Sequence, residues 1–163
     1  MNGSVRKVAD GYQLRFERRL KHPVDKVWAA LTESKLSAQW LAPAEIDPRE
    51  GGRVLIRFAN SDTVIDGTVL AIKPPHLLEY AWKDQHEYRG PVRWELTSEG
   101  GGTKLILTHT LPLRQTIKPH SFLAGWDSHL EQMAHSLDGA PIPWSRDRWQ
   151  QLFDEYAAAH PDL

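Results

Sequence analysis

Three polar side chains in this 163-residue sequence stand where their neighbours are apolar, and these are the first places to look for chemistry. Arg18 interrupts the apolar side of an alternating run in which Tyr12, Leu14, Phe16 and Leu20 share one face. An inward guanidinium is costly unless paired or near water. Arg18 therefore meets an acidic group, or stands at an opening where its fork of donors could hold a carboxylate or phenolate. At a sheet edge it would simply reach solvent. His109 ends the apolar face formed by Leu105 and Leu107. It reads either as a core histidine bonded to a backbone carbonyl, or as a ligand partner and general base titrating near neutrality. His129, at the edge of a helical apolar stripe, has the same two readings.

Other chemistry finds little support. The absence of cysteine excludes disulfides, thiolate nucleophiles and cysteine-ligated zinc, and suits a reducing, cytoplasmic setting. The eight histidines are scattered, and His129 and His135, six residues apart, fall on different helix faces. There is no H-E-x-x-H and no acidic loop with calcium spacing, so no metal is expected. Gly100-Gly101-Gly102 reads as a hairpin turn, because the earlier glycine of a phosphate loop is missing. No G-x-S-x-G elbow occurs. No catalytic residue and no cofactor is assigned. With 20 basic and 21 acidic residues and no long run of one sign, nucleic-acid binding is not expected. No run approaches the roughly 18 apolar residues of a membrane span, and Met1–Gln13 shows no secretory apolar core.

The seven tryptophans, at positions 28, 40, 82, 94, 126, 144 and 149, either fill a core or line a pocket with apolar area plus an N–H donor.

These residues need elements to position them. Tyr12–Leu20 alternates as a half-buried strand and ends at His22-Pro23. Val24, Val27, Trp28 and Leu31 have helical spacing, and a second short helix is expected over Ser34–Leu41, with Ser34 as N-cap. Arg53–Ala59, Asp62–Ile72, a run through Leu78, Tyr80 and Trp82, one through Val92, Trp94 and Leu96, and Thr103–Leu111 then read as antiparallel strands joined by short turns. Phe122, Trp126, Leu130, Met133 and Leu137 form one stripe of a long helix, Phe122–Leu137, stopped by Asp138-Gly139 and Pro141. A terminal helix over Arg146–Ala159 places Trp149, Leu152, Phe153 and Tyr156 on one face. This order is α+β, and only the long helix is large enough to cover the sheet.

The segment FERRLKHPVDKVWAALTESKLSAQWLAP (Phe16–Pro43) resembles the opening of Hsp90-ATPase-activator-like (Aha1-like) proteins of the START/Bet v 1 (SRPBCC) superfamily. GTVLAIKPPHLLEYAW, VRWELTSEGGGTKLILTHT and GWDSHLEQMAHSL match later strands and the long helix in order, so the resemblance covers about Leu14–Leu137. It implies a helix-grip fold: a curved antiparallel sheet of six to seven strands around a long C-terminal helix, with a cavity between them. The domain would span residues 1–141, and residues 142–163 would form a helical extension packed on it or on a partner in a homodimer. The resemblance does not imply one activity, since the superfamily includes lipid and hormone binders and polyketide cyclases.

Strand and helix faces then give the expected cavity lining: Phe16, Arg18, Trp40, Ile56, Phe58, Tyr80, Trp82, Trp94, Leu107, His109, Trp126, His129, Leu130 and Met133. The leading expectation is non-enzymatic binding of an apolar or aromatic small molecule. The alternatives are a cyclase or dehydratase, with a cavity histidine as acid-base and Arg18 holding an enolate, and a protein-partner adaptor or chaperone-related regulator.

Overall fold

The computed structural model describes all residues, Met1–Leu163. Its strands are β1 (Gly3–Val8), β2 (Gly11–Leu20), β3 (Ala44–Ile46), β4 (Arg53–Arg57), β5 (Val64–Lys73), β6 (Leu77–Lys83), β7 (Tyr88–Glu99) and β8 (Gly102–Pro112). The helices are α1 (Val24–Thr32), α2 (Ser34–Ser37), α3 (Pro119–Leu137) and α4 (Arg146–Ala159).

Alternation carries the sheet. In β8 every second residue from Thr103 to Leu111 is buried, which makes Leu105, Leu107, His109 and Leu111 one inner row. Register sets that row beside its neighbours: Leu107 opposes Phe16 of β2 and Trp94 of β7, and His109 opposes Leu14 and Val92. All pairings are antiparallel, in the order β1-β2-β8-β7-β6-β5-β4-β3. The sheet thus has eight strands rather than six or seven. The additions are β1 (GSVRKV) and the three-residue β3, whose sequences have too few apolar residues to alternate visibly.

The short helices pack Val24, Val27, Ala30 and Leu31 inward. Helix α2 is one turn, with Glu33 rather than Ser34 at its cap position, and Trp40 lies beyond its end. There the Trp40 indole donates to the Ala30 carbonyl at 2.8 Å.

Helix α3 starts three residues earlier than the stripe suggested, at Pro119, a residue suited to a first helical turn. Trp126, Leu130, Met133 and Leu137 are buried, while Phe122 is half-buried at one end. Asp127 and Gln132, which fall off the apolar stripe on opposite flanks, are buried as well: Tyr156 of α4 meets Asp127, and Gln132 reaches the Ile142 carbonyl in the segment before α4. Ser145 caps α4 by accepting from the Arg148 N–H at 3.1 Å, and Leu152 and Tyr156 enter the same core as the sheet. No helix is long and apolar enough to cross a membrane.

Candidate functional site

The space between sheet and α3 is filled by tryptophan. Trp40 and Trp94 meet edge-on at 5.8 Å between ring centroids, Trp94 and Trp126 at 5.6 Å, and Trp126 and Trp82 at 5.1 Å. The Trp94 N–H reaches the Tyr80 hydroxyl at 3.2 Å. Phe16, Ile56, Leu107, Leu130 and Met133 close the remaining volume, each at most 2% exposed.

The row of rings opens at one end. There a cleft of about 430 Å³ lies between the N-terminal half of α3, the β4–β5 connection, the start of β7 and the approach to α4. Phe58, Trp82, Ile117, Phe122, Trp144 and Trp149 make its apolar walls. A recess of about 110 Å³ continues inward past Gly125 to Trp126 and Leu41. Gly125 matters here: a Cβ at this position would sit 3.9 Å from the Trp149 indole nitrogen, so a longer side chain would grow into the cleft.

One wall is polar and closed. The Arg89 guanidinium, 3% exposed, binds the Asp84 carboxylate, Glu87 Oε1 at 2.6 Å, Gln115 Oε1 at 3.0 Å and Thr116 Oγ1 at 3.3 Å. Asp84 also accepts the backbone N–H groups of His86 and Glu87, at 2.8 and 2.9 Å. Burial pushes Asp84 up, but the bonds from Arg89 and the two N–H groups hold it below the usual carboxylate range. Bonds from the Thr116 N–H and hydroxyl, with Arg89 adding to them, lower Glu87 likewise.

His109 stands behind this wall. Its Nδ1 accepts the Trp126 indole N–H at 2.9 Å, so Nε2 carries the proton and donates to the Arg89 carbonyl, also at 2.9 Å. Full burial lowers its pKa to about 4, against the carbonyl bond that raises it. His129 faces the cleft, donates from Nδ1 to the Trp40 carbonyl at 2.9 Å, and is likewise pushed down by burial. Arg18 lies elsewhere, paired to Asp127 at 2.9 Å. Asp127 is fully buried and also accepts the Tyr156 hydroxyl at 2.6 Å and the Asn2 N–H at 2.9 Å.

Of the residues expected to line a cavity, Phe58, Trp82, Trp126 and His129 border the cleft or its recess. Phe16, Trp40, Ile56, Tyr80, Trp94, Leu107, Leu130 and Met133 lie in the closed core, His109 is engaged behind the wall, and Arg18 joins α3 to β2. Arg18, His109 and His129 are held by separate partners and share none. Asp84, Arg89, Phe122, Gly125, Trp144, Arg146 and Trp149 line the cleft and fall outside the lining expected from sequence. The charge-rich turn WKDQHEYRG between two strands was the available signal for the first two.

Many solved structures share the fold, and three of them illustrate the likeness to the chain. CalU16 from Micromonospora echinospora is 24% identical, with a TM-score of 0.73 over 96% of this chain and 94% of its own. A conserved protein of unknown function from Enterococcus faecalis is 19% identical, with a TM-score of 0.80 over 99% and 91%. A Bordetella parapertussis protein is 27% identical, with a TM-score of 0.70 over 96% and 89%. No curated protein matches the sequence. The family model described as "Activator of Hsp90 ATPase homolog 1-like protein" matches residues 21–138, from the end of β2 through α3, and the chain belongs to that family.

Proposed function

We propose that the chain binds an apolar, aromatic small molecule in the cleft between the start of α3, the sheet end and α4, without converting it. The observation that carries this reading is the cleft itself: about 430 Å³, walled by tryptophan and phenylalanine rings from α3, the sheet and the α4 approach, and continuous with a recess. That volume suits a drug-sized ligand, and mostly apolar walls with a few polar groups are the usual make-up of such sites. Catalysis would need a free acid-base group within reach of the ligand. Of the three expected groups only His129 reaches the cleft, while His109 has both ring nitrogens bonded behind the wall and Arg18 is committed to Asp127. The convergent set a cyclase or dehydratase would need is not assembled, which favours binding. Coverage of the Leu152 and Tyr156 face by the same chain likewise favours a ligand over a docked partner protein.

The test is a fluorescence titration with N-phenyl-1-naphthylamine, a neutral two-aromatic probe. Saturable uptake at about one probe per chain, with a blue-shifted emission, is expected. An unchanged emission up to the solubility limit of the probe overturns the reading.

A further inference from the structure

We infer that the ligand of this cleft is an aromatic anion, a planar ring system bearing a carboxylate, ionised phenol or sulfonate, whose charge is held by Arg146. The inference rests on the binding reading above and adds the ligand's charge.

It follows from which polar groups the fold leaves uncommitted. Three lining residues are ionised: Asp84, Arg89 and Arg146. Asp84 and Arg89 neutralise each other, and Glu87 closes the remaining face of the guanidinium. Arg146 differs. It sits in the first turn of α4, is exposed at the cleft mouth, and forms none of the molecule's ion pairs, although nearby Arg148 is paired to Glu131. His129 is neutral near pH 7, because burial disfavours its charged form. Arg146 is thus the one lining charge without an ion-pair partner.

The free hydrogen-bonding groups point the same way. The indole N–H groups of Trp82, Trp144 and Trp149 have no partner within the protein, and an indole can only donate. The one side-chain atom sealed from solvent without a partner is Gln132 Oε1, so the N–H of the buried Trp82 is not sealed off, and Trp82 lines the cleft. A neutral hydrocarbon would leave these donors and the guanidinium facing apolar surface. An oxyanion on an aromatic body satisfies them, with the rings stacked on Phe58, Phe122 and Trp149 and the charge toward the mouth.

The experiment compares two probes of the same skeleton, N-phenyl-1-naphthylamine and 8-anilino-1-naphthalenesulfonate, which adds a sulfonate, on the full chain and on Arg146→Gln. The wild-type chain is expected to bind the sulfonate about two- to fivefold more tightly, the range an ion pair at an exposed site supplies. Added salt should erode that preference. Arg146→Gln should abolish the preference, read as the ratio of the two affinities in the same variant, with an unchanged near-UV circular dichroism spectrum as the check on folding. Equal affinities in the wild type, or a preference that survives Arg146→Gln, overturn the inference and leave the cleft reading standing. Uptake of neither probe overturns the cleft reading itself, and the inference with it.

Discussion

The Trp126 indole on α3 donates its N–H to Nδ1 of His109 on β8, at 2.9 Å and in the closed interior. This bond joins helix to sheet and fixes a tautomer, since the imidazole must then give its Nε2 proton to the Arg89 carbonyl. The same carbonyl belongs to the residue whose guanidinium gathers Asp84, Glu87, Gln115 and Thr116. A single relay therefore connects the long helix to the polar wall of the cleft.

Trp126→Phe removes the donor and part of the ring, leaving a buried acceptor without a partner. Such a loss costs about 1–3 kcal/mol for the orphaned group, with a further contribution from the lost volume. We expect a fall in stability of about 3 kcal/mol, measured by urea unfolding. In the wild-type chain, nitrogen NMR of the imidazole should show a protonated Nε2 and a bare Nδ1 at neutral pH. A protonated Nδ1 would contradict the relay.

Acid should destabilise the protein through the same histidine. Burial lowers His109 to about 4 in the folded chain, whereas an unfolded histidine titrates near 6.5. The unfolded state therefore takes up a proton that the folded state refuses. The stabilisation is complete above about pH 6.5 and is lost as pH falls toward 4, amounting to about 3 kcal/mol over that window. His129 acts in the same direction. The depressed carboxylates Asp84 and Glu87 lose their contribution only as pH falls through their own lowered values, so the two effects separate. Urea midpoints measured from pH 7.5 to 4.5 should decline, and His109→Gln should flatten the slope by up to one proton. An unchanged slope in that variant would show that His109 is charged in the fold.

Arg18→Met tests whether this arginine belongs to the site. Removing the guanidinium leaves Asp127, with no exposed surface, dependent on Tyr156 and the Asn2 N–H. Breaking a buried pair from one side costs about 3–5 kcal/mol, and the part-exposed arginine places this case at or below the lower end. Chemical unfolding should show that loss, and N-phenyl-1-naphthylamine affinity should stay within about twofold. A large fall in probe affinity in a folded variant would return Arg18 to the binding machinery.

Much of the framework is legible in local pattern. Period two marks β2 and β4 to β8, and the Asp138-Gly139 stop signal sits at the end of α3, where Gly139 adopts a φ of 78°. The illegible parts depend on partners far along the chain. Asp127 looks solvent-facing on a helical wheel and is buried because Arg18 and Tyr156, 109 and 29 residues away, come to meet it. Arg89 is buried for the same kind of reason, by groups on its own turn and on the segment before α3. Strand alternation places Trp82 and Trp94 inward and the helical stripe does the same for Trp126, but periodicity does not encode whether these rings and Trp40 interlock edge-on or leave a space. They interlock, and the opening moves to the end of the row, where Trp144 and Trp149 supply walls from outside the shared pattern.

Gly125 separates that opening from the fold that carries it. A glycine inside a helix costs about 0.5–1 kcal/mol relative to alanine, and no positive φ or backbone clash requires one here. The nearest atom to an added methyl group would be the Trp149 indole nitrogen at 3.9 Å, an ordinary contact. Gly125→Ala should therefore fold and gain up to about 1 kcal/mol. Gly125→Leu extends a branched apolar side chain into the junction of cleft and recess, both of which this residue lines. It should lower N-phenyl-1-naphthylamine affinity more than about tenfold while the melting temperature holds or rises, since the side chain would occupy the junction where cleft and recess meet and where the ligand's rings would lie. Retained affinity in a folded Gly125→Leu protein would mean that the probe sits elsewhere. Lost affinity together with lost stability would be resolved by Gly125→Ala, whose smaller side chain should weaken uptake partially and leave the fold at least as stable.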